Sequence, residues 1–226
     1  MLNKPEVKAQ VDELMSTMTL AQKVGQMTQT ERLNCSPAEV KTFHLGSIMS
    51  GPGAIDSHES PQHWLAIADS YWQASTSKDD KHQGIPTLFG VDAVHGHNNL
   101  SEATIFPHNI GLGAADDPDL MKKIAAITRK EVLATGLDWV FAPNLGVAQN
   151  HHWGRFYESF SQTPEITNKY VKNIITGLQN TQSQLPDKKN QGVISCVKHW
   201  VGDGATSHGI NPVSYTHLTL PTTPYV

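Results

Sequence analysis

Three short segments of this chain concentrate the residues that can do chemistry. The first is Gly90-Val91-Asp92-Ala93-Val94-His95-Gly96-His97-Asn98-Asn99. The second is Trp153-Gly154-Arg155-Phe156-Tyr157-Glu158-Ser159. The third is Lys198-His199-Trp200-Val201-Gly202-Asp203-Gly204. Together they offer carboxylates, cations, imidazoles and indoles. A sugar site needs this mixture: carboxylates and amides to grip vicinal hydroxyls, and aromatic faces for the C–H surfaces between them. It also needs cations that keep its carboxylates ionised and aimed. Asp92, Arg155, Lys198 and His199 supply such groups, and Trp153 and Trp200 supply rings nearby.

Each of these residues has a plainer reading. Asp92 could cap a helix at a strand-to-helix turn. Arg155 could form a structural ion pair with Glu158. Lys198 could end a strand in water, and His199 could be a hydrogen-bonded core histidine. A different chemistry is also open: His95-x-His97 could ligate zinc in a metal-dependent barrel hydrolase. With 12 histidines, however, incidental pairs such as His151-His152 are expected.

The elements that must position these residues alternate. A helix follows Pro5, with Val7, Val11, Leu14, Met15 and Met18 on one face. Thr19-Leu20-Ala21-Gln22 reads as a capping box opening a second, short helix. Ser60-Pro61 opens another, with Trp64, Ile67, Ala68, Tyr71 and Trp72 as its face. Asp117-Pro118 starts a longer helix that should end near Gly136, a C′ glycine. Thr163-Pro164 starts one more, stacking Ile166, Tyr170 and Ile174. Between them lie apolar runs at 46–49, 87–91, 139–142 and 193–197, short enough to be strands buried on both faces. Cys196, inside the last run, reads as a buried strand cysteine. Two cysteines, Cys35 and Cys196, do not make a disulfide framework.

Strands alternating with helices predict a parallel α/β sheet built from βαβ units. The residues just past each run carry the chemistry: Ser50-Gly51, Asp92, Pro143-Asn144 and Lys198-His199. A (β/α)8 barrel gathers such strand ends on one face. No Gly-x-Gly-x-x-Gly follows a strand, which disfavours a dinucleotide site. Four strands are half a barrel, and a complete one takes ~250 residues. The expected fold class is therefore α/β, an incomplete (β/α)8 TIM-like barrel of roughly the first half to five-eighths.

The 226 residues are 38% hydrophobic and 17% charged, with a net charge of −4. That is an ordinary globular composition, with no basic excess to suggest nucleic acid. No apolar run approaches a membrane span. Lys4, Glu6 and Lys8 leave residues 1–10 without the apolar stretch of a secretory signal. The last 14 residues, 213–226, contain no Asp, Glu, Lys or Arg, and they break the strand–helix alternation. They resemble translated sequencing-adapter DNA. The expected organisation is a partial barrel domain over 1–212 and a non-native tail over 213–226.

The three segments resemble signature stretches of glycoside hydrolase family 3, in its β-glucosidase and exo-β-glucan hydrolase branch. Lys23-Val24-Gly25-Gln26-Met27, Gly46-Ser47-Ile48 and Ala103-Thr104-Ile105-Phe106-Pro107-His108-Asn109 are similar to that family too. The resemblance covers nearly all of residues 14–211. It implies hydrolysis of terminal β-D-glucosyl residues from β-glucans or oligosaccharides with retention, using no cofactor and no metal. It implies that Asp92 binds hydroxyls of the sugar in the −1 subsite, that Arg155 contacts the same sugar and steadies the carboxylates, and that Lys198 and His199 grip neighbouring hydroxyls. The family's nucleophilic aspartate and acid/base glutamate fall beyond this chain, so the chain alone is expected to be inactive. Pro212 stands where a family glutamate is expected soon after Gly209-Ile210-Asn211. Members are often periplasmic or secreted; oligomeric state stays open. The β-N-acetylglucosaminidase branch, typically Lys-His-Phe-Pro-Gly-His-Gly, is a rival, but Lys198 to Gly204 lacks that proline and second histidine. A non-catalytic fragment is the remaining alternative.

Overall fold

The computed structural model describes residues 5–51, 60–79, 81–180, 192–200 and 202–210. The expected tail and the stretch around Pro212 lie outside them. The chain divides into two compact units: Met1–Gly90 with Thr135–Leu137, and Val91–Ala134 with Asp138–Val226. Within each, strand order follows the chain, β1-β2-β3 in the first and β3-β4-β5 in the second.

The first unit holds α1 (Pro5–Thr17), α2 (Leu20–Gln26), β1 (Gln29–Glu31), α3 (Pro37–Phe43), β2 (Ser47–Ser50), α4 (Pro61–Thr76) and most of β3 (Leu88–Val91). Thr19 caps α2 as expected: its hydroxyl accepts from the Gln22 amide at 3.2 Å, and Gln22 Oε1 accepts from the Thr19 amide at 2.8 Å. Ser36 and Glu39 form the same reciprocal box at α3, a helix the sequence reading passes over. The same reading passes over β1. It is only Gln-Thr-Glu, and it exists because its backbone pairs in parallel with β2, Gln29 opposite Ser47 and Glu31 opposite Met49. The core is Val40, Ile48, Trp64, Tyr71 and Phe89. Tyr71 meets Phe89 edge-on with centroids 5.6 Å apart. Its hydroxyl donates to the Cys35 carbonyl at 2.6 Å. Two expectations fail here. The periodic face of α1 is not buried, Val11 being 47% exposed, and Trp72 of α4 is 56% exposed. Helical periodicity reports a face able to pack: α4 buries Trp64, Ala68 and Tyr71 of its face and leaves Trp72 out, and α1 buries none of its own among the described residues. Gly136 has φ +77°, the left-handed geometry expected after a helix end, and a Cβ there would sit 2.9 Å from the Ala68 methyl.

The second unit holds the end of β3, α5 (Asn109–Ala115), α6 (Pro118–Ala134), β4 (Trp139–Val140), α7 (Pro164–Gln179) and β5 (Ile194–Ser195). β4 and β5 pair in parallel, Trp139 opposite Ile194. The Phe141 amide donates to the Val91 carbonyl at 2.9 Å, tying β4 to the end of β3. α6 buries Met121, Ile124, Ala125 and Val132, and α7 buries Tyr170, Ile174 and Leu178. The two helices pack on each other. Arg129 Nη1 donates to the Gly177 carbonyl across that contact at 2.8 Å. α5 approaches still closer to its neighbour: a Cβ on Gly113 would lie 1.8 Å from the Phe160 carbonyl oxygen. Phe160 stacks on Tyr170 at 4.7 Å, and the Tyr170 hydroxyl donates to the Leu112 carbonyl at 2.7 Å.

β3, β4 and β5 are shorter than their apolar runs predict, and not all strands are buried on both faces: Leu88 is 36% and Ile194 47% exposed. After Val140 the regular strand gives way near Pro143, which has no amide to donate. Both cysteines are free, and Cys196 is half-buried rather than buried. Among the described residues no helix is long and apolar enough to cross a membrane.

Candidate functional site

All four residues singled out from the sequence lie in the second unit. Asp92 directly follows β3, and Lys198 follows β5. Pairing of β4 with β5 continues past the strands through a parallel bridge between Asn144 and Lys198. The Leu145 amide donates to the Lys198 carbonyl at 2.8 Å, and the Lys198 amide to the Pro143 carbonyl at 3.0 Å. These backbone bonds fix where the lysine leaves the strand end. Its ammonium makes an ion pair with Asp92 Oδ1, with side chains only 15% and 18% exposed. The lysine does not simply end a strand in water. Nor does Asp92 cap a helix, since the next helix begins at Asn109.

A second network stands beside the first. Arg155 presents its Nε and Nη2 edge to Glu158, at 2.7 Å to Oε1 and 2.8 Å to Oε2. Glu158 Oε2 also accepts from Asn144 Nδ2 at 2.7 Å, and the Glu158 carbonyl accepts from Asn109 Nδ2 at 2.7 Å. Burial alone pushes the Glu158 carboxyl up. The Arg155 fork, the Asn144 amide and the Lys198 charge outweigh it, so its pKa is held below the ordinary glutamate value. The same pairing raises the Arg155 guanidinium. Arg155 Nη2 also approaches His199 Nε2 at 3.3 Å, and His199 Nδ1 lies 2.8 Å from Asp203 Oδ2. Asp203 is buried, and its carbonyl accepts from the Val147 amide at 3.2 Å. An arginine only donates, so this contact is a hydrogen bond in the tautomer whose proton sits on Nδ1, facing Asp203, and whose Nε2 accepts.

Asn144, Glu158 and Asp203 thus complete the constellation. Asn144 carries a sequence signal, being just past an apolar run. Glu158 is the ion-pair partner that the sequence offers for Arg155, whereas Asp203 falls inside the third segment with nothing in the sequence to mark it as the anchor of His199. The aromatic residues divide. Trp200 is 86% exposed, but Trp153 is 4% exposed and cannot offer a face to a ligand. Lys198, His199, Trp200 and Asp203 line an open cleft of about 360 Å³ together with Leu145 and Gly146.

The histidines near Asp92 serve the interior. His95 Nδ1 donates to the Phe106 carbonyl at 2.9 Å, and its ring stacks on His108 with centroids 4.1 Å apart. His97 is fully buried, and burial pushes its pKa down to about 4. Among the described residues no group of three His, Cys, Asp or Glu side chains could hold a metal ion.

Paired polar groups gathered beyond the ends of parallel strands define the loop face of a barrel-type domain. Comparison with known proteins agrees. The family described as the glycosyl hydrolase family 3 N-terminal domain matches residues 19–223. The chain belongs to glycosyl hydrolase family 3. A lysosomal β-glucosidase of Dictyostelium discoideum is 32% identical over 210 residues, 85% of this chain and 25% of that protein. A periplasmic β-glucosidase/β-xylosidase of Dickeya chrysanthemi is 29% identical over 217 residues, 87% of this chain and 32% of that protein. The crystal structure of an exo-1,3/1,4-β-glucanase from a Pseudoalteromonas species matches with a TM-score of 0.84 at 39% identity, over 92% of this chain and 26% of that one. The fold is α/β, with the strand–helix alternation of an incomplete (β/α)8 barrel. The chain spans only a quarter to a third of the length of these relatives.

Proposed function

We propose that the full-length protein carrying this chain removes terminal β-D-glucosyl residues from β-glucans or their oligosaccharides, with retention of configuration. One observation carries the reading: the ion pair between Asp92 and Lys198 leaves bonding capacity unused on both partners. Asp92 Oδ2 has no partner among the described residues, and the lysine uses one of its three N–H groups. Arg155 Nη1 is similarly unengaged among them. An acceptor flanked by fixed donors suits two vicinal hydroxyls, each of which donates and accepts. In this reading Asp92, Lys198, Arg155 and His199 hold the sugar. The names of the relatives, β-glucosidase and exo-glucanase among them, support the substrate class.

The retaining reaction needs a carboxylate nucleophile and a carboxyl group that acts first as acid, then as base. Asp92, Glu158 and Asp203 are each already engaged by Lys198, Arg155 and His199. In this proposal both catalytic carboxylates come from the remainder of the full-length protein. Residues 1–212 belong to its barrel domain, and residues 213–226 are foreign to it. Reading the genomic frame past Pro212 tests the last point.

The activity is tested by incubating the full-length protein with an aryl β-glucoside and following the first-formed sugar by NMR. The expected product is the β-anomer. An initial α-anomer overturns retention. Faster turnover of an aryl β-xyloside or β-N-acetylglucosaminide overturns the glucosyl preference.

A further inference from the structure

We propose that Glu158 is a positioning residue: it sets the plane of the Arg155 guanidinium so that its outer edge faces the sugar. This rests on the glucosidase reading above. Both oxygens of the carboxylate are engaged by side chains of the protein. Oε1 takes the Arg155 Nε proton at 2.7 Å, and Oε2 takes protons from Arg155 Nη2 at 2.8 Å and from Asn144 Nδ2 at 2.7 Å. Glu158 is buried. It therefore acts through the groups that it holds.

It is itself held from two sides. Asn144 grips the carboxylate, and its own side-chain oxygen accepts from the Gly146 amide at 2.9 Å, so its amide cannot turn freely. Asn109, the first residue of α5, grips the Glu158 carbonyl at 2.7 Å. Asn144 also bridges to Lys198 through its backbone. One buried carboxylate thus ties the arginine to the element that carries the lysine. A two-bond fork fixes the angle of a guanidinium as well as its place. With Nε and Nη2 committed, Nη1 points along one direction only.

The test is a double-mutant cycle in the full-length protein with Glu158→Gln and Arg155→Ala, read by kcat/KM on an aryl β-glucoside. Glutamine keeps the shape but puts an N–H where either the guanidinium or Asn144 also donates. Glu158→Gln is expected to lower kcat/KM by about 100-fold, the scale of a misplaced binding group. In the Arg155→Ala background the same change is expected to cost less than about threefold, since nothing remains to be positioned. Equal losses in both backgrounds, with a lowered melting temperature, assign Glu158 to folding alone and overturn the proposal. Crystal structures supply a readout independent of activity. The guanidinium is expected to leave its plane in Glu158→Gln and to stay tethered, though shifted, in Glu158→Asp. An unmoved Arg155 in the glutamine variant also overturns the proposal. Absence of turnover by the unchanged protein overturns the glucosidase reading instead, and the structures then decide the role of Glu158.

Discussion

Asp203 faces His199 Nδ1 at 2.8 Å, and that contact decides what the far side of the imidazole can do. With the proton on Nδ1, Nε2 is an acceptor for Arg155. Asp203→Asn keeps the size but lets an NH₂ group face Nδ1. The ring then favours the other tautomer, and an Nε2 proton meets the guanidinium head-on. A wrong tautomer beside a binding arginine is expected to lower kcat/KM by about 100-fold with little change in melting temperature. Steady-state kinetics and a thermal melt check both halves. Unchanged kinetics would leave Asp203 only its backbone bond to Val147.

Asp92→Ala should be far more costly than Thr104→Ala. The first removes a group assigned to the sugar and strands the Lys198 ammonium at a site where it is 15% exposed. The expected loss in kcat/KM is on the order of 2–4 kcal/mol. Thr104 bonds Glu131 at an exposed position, its hydroxyl donating at 2.8 Å. Its removal should leave kcat/KM within about threefold, as surface changes commonly do. Small and equal effects, measured on one substrate, would return Asp92 to a structural ion pair.

His97 predicts a pH dependence of stability. Its folded pKa is about 4 against an ordinary 6.5, so the unfolded chain binds the proton more readily. The neutral ring's contribution is complete above pH 6.5 and is lost as the pH falls toward 4. Between pH 7 and 5 the loss is about 2 kcal/mol. Denaturant titrations at both pH values should show it, and His97→Gln should flatten the difference by that amount. His108 and His44 are lowered by burial too and add a residue of the same sign. An unaltered difference in the variant would refute the assignment.

Gly113→Ala tests the route from scaffold to site. A methyl group there would overlap the Phe160 carbonyl, 1.8 Å away, so α5 must move. Asn109, on the same helix, holds the Glu158 carbonyl. Overpacking should cost about 1–3 kcal/mol of stability. It should also weaken substrate binding, because Glu158 moves with α5. A melting curve and a KM measurement separate the two effects.

Much of this arrangement is legible in residue order. Ser60-Pro61 and Thr19 with Gln22 announce their helices because capping is local chemistry. Polar residues just past apolar runs point to Asp92, Asn144 and Lys198 because parallel strands must end on one face. Other features depend on partners distant in sequence. β1 carries no apolar signal and exists through its ladder with β2. Trp153 reads as a sugar platform, yet it is buried, since residue type does not reveal which side of a loop faces water. Ser36-Pro37-Ala38-Glu39 carries the local capping signature of α3. The plain reading of Arg155, an ion pair with Glu158, and its assignment to the sugar are compatible, because a guanidinium has two usable edges.

The pairing of each carboxylate with a donor has a consequence for how ligands arrive. Asp92 cancels Lys198 and Glu158 cancels Arg155 within hydrogen-bond distance. Opposed charges so close project little field beyond a Debye length of about 8 Å in physiological salt. An approaching uncharged saccharide is neither drawn in nor turned away from afar. Its capture is governed by diffusion and by fit at contact. Ionic strength, which tunes encounter rates at strongly charged clefts, should have little hold on this one.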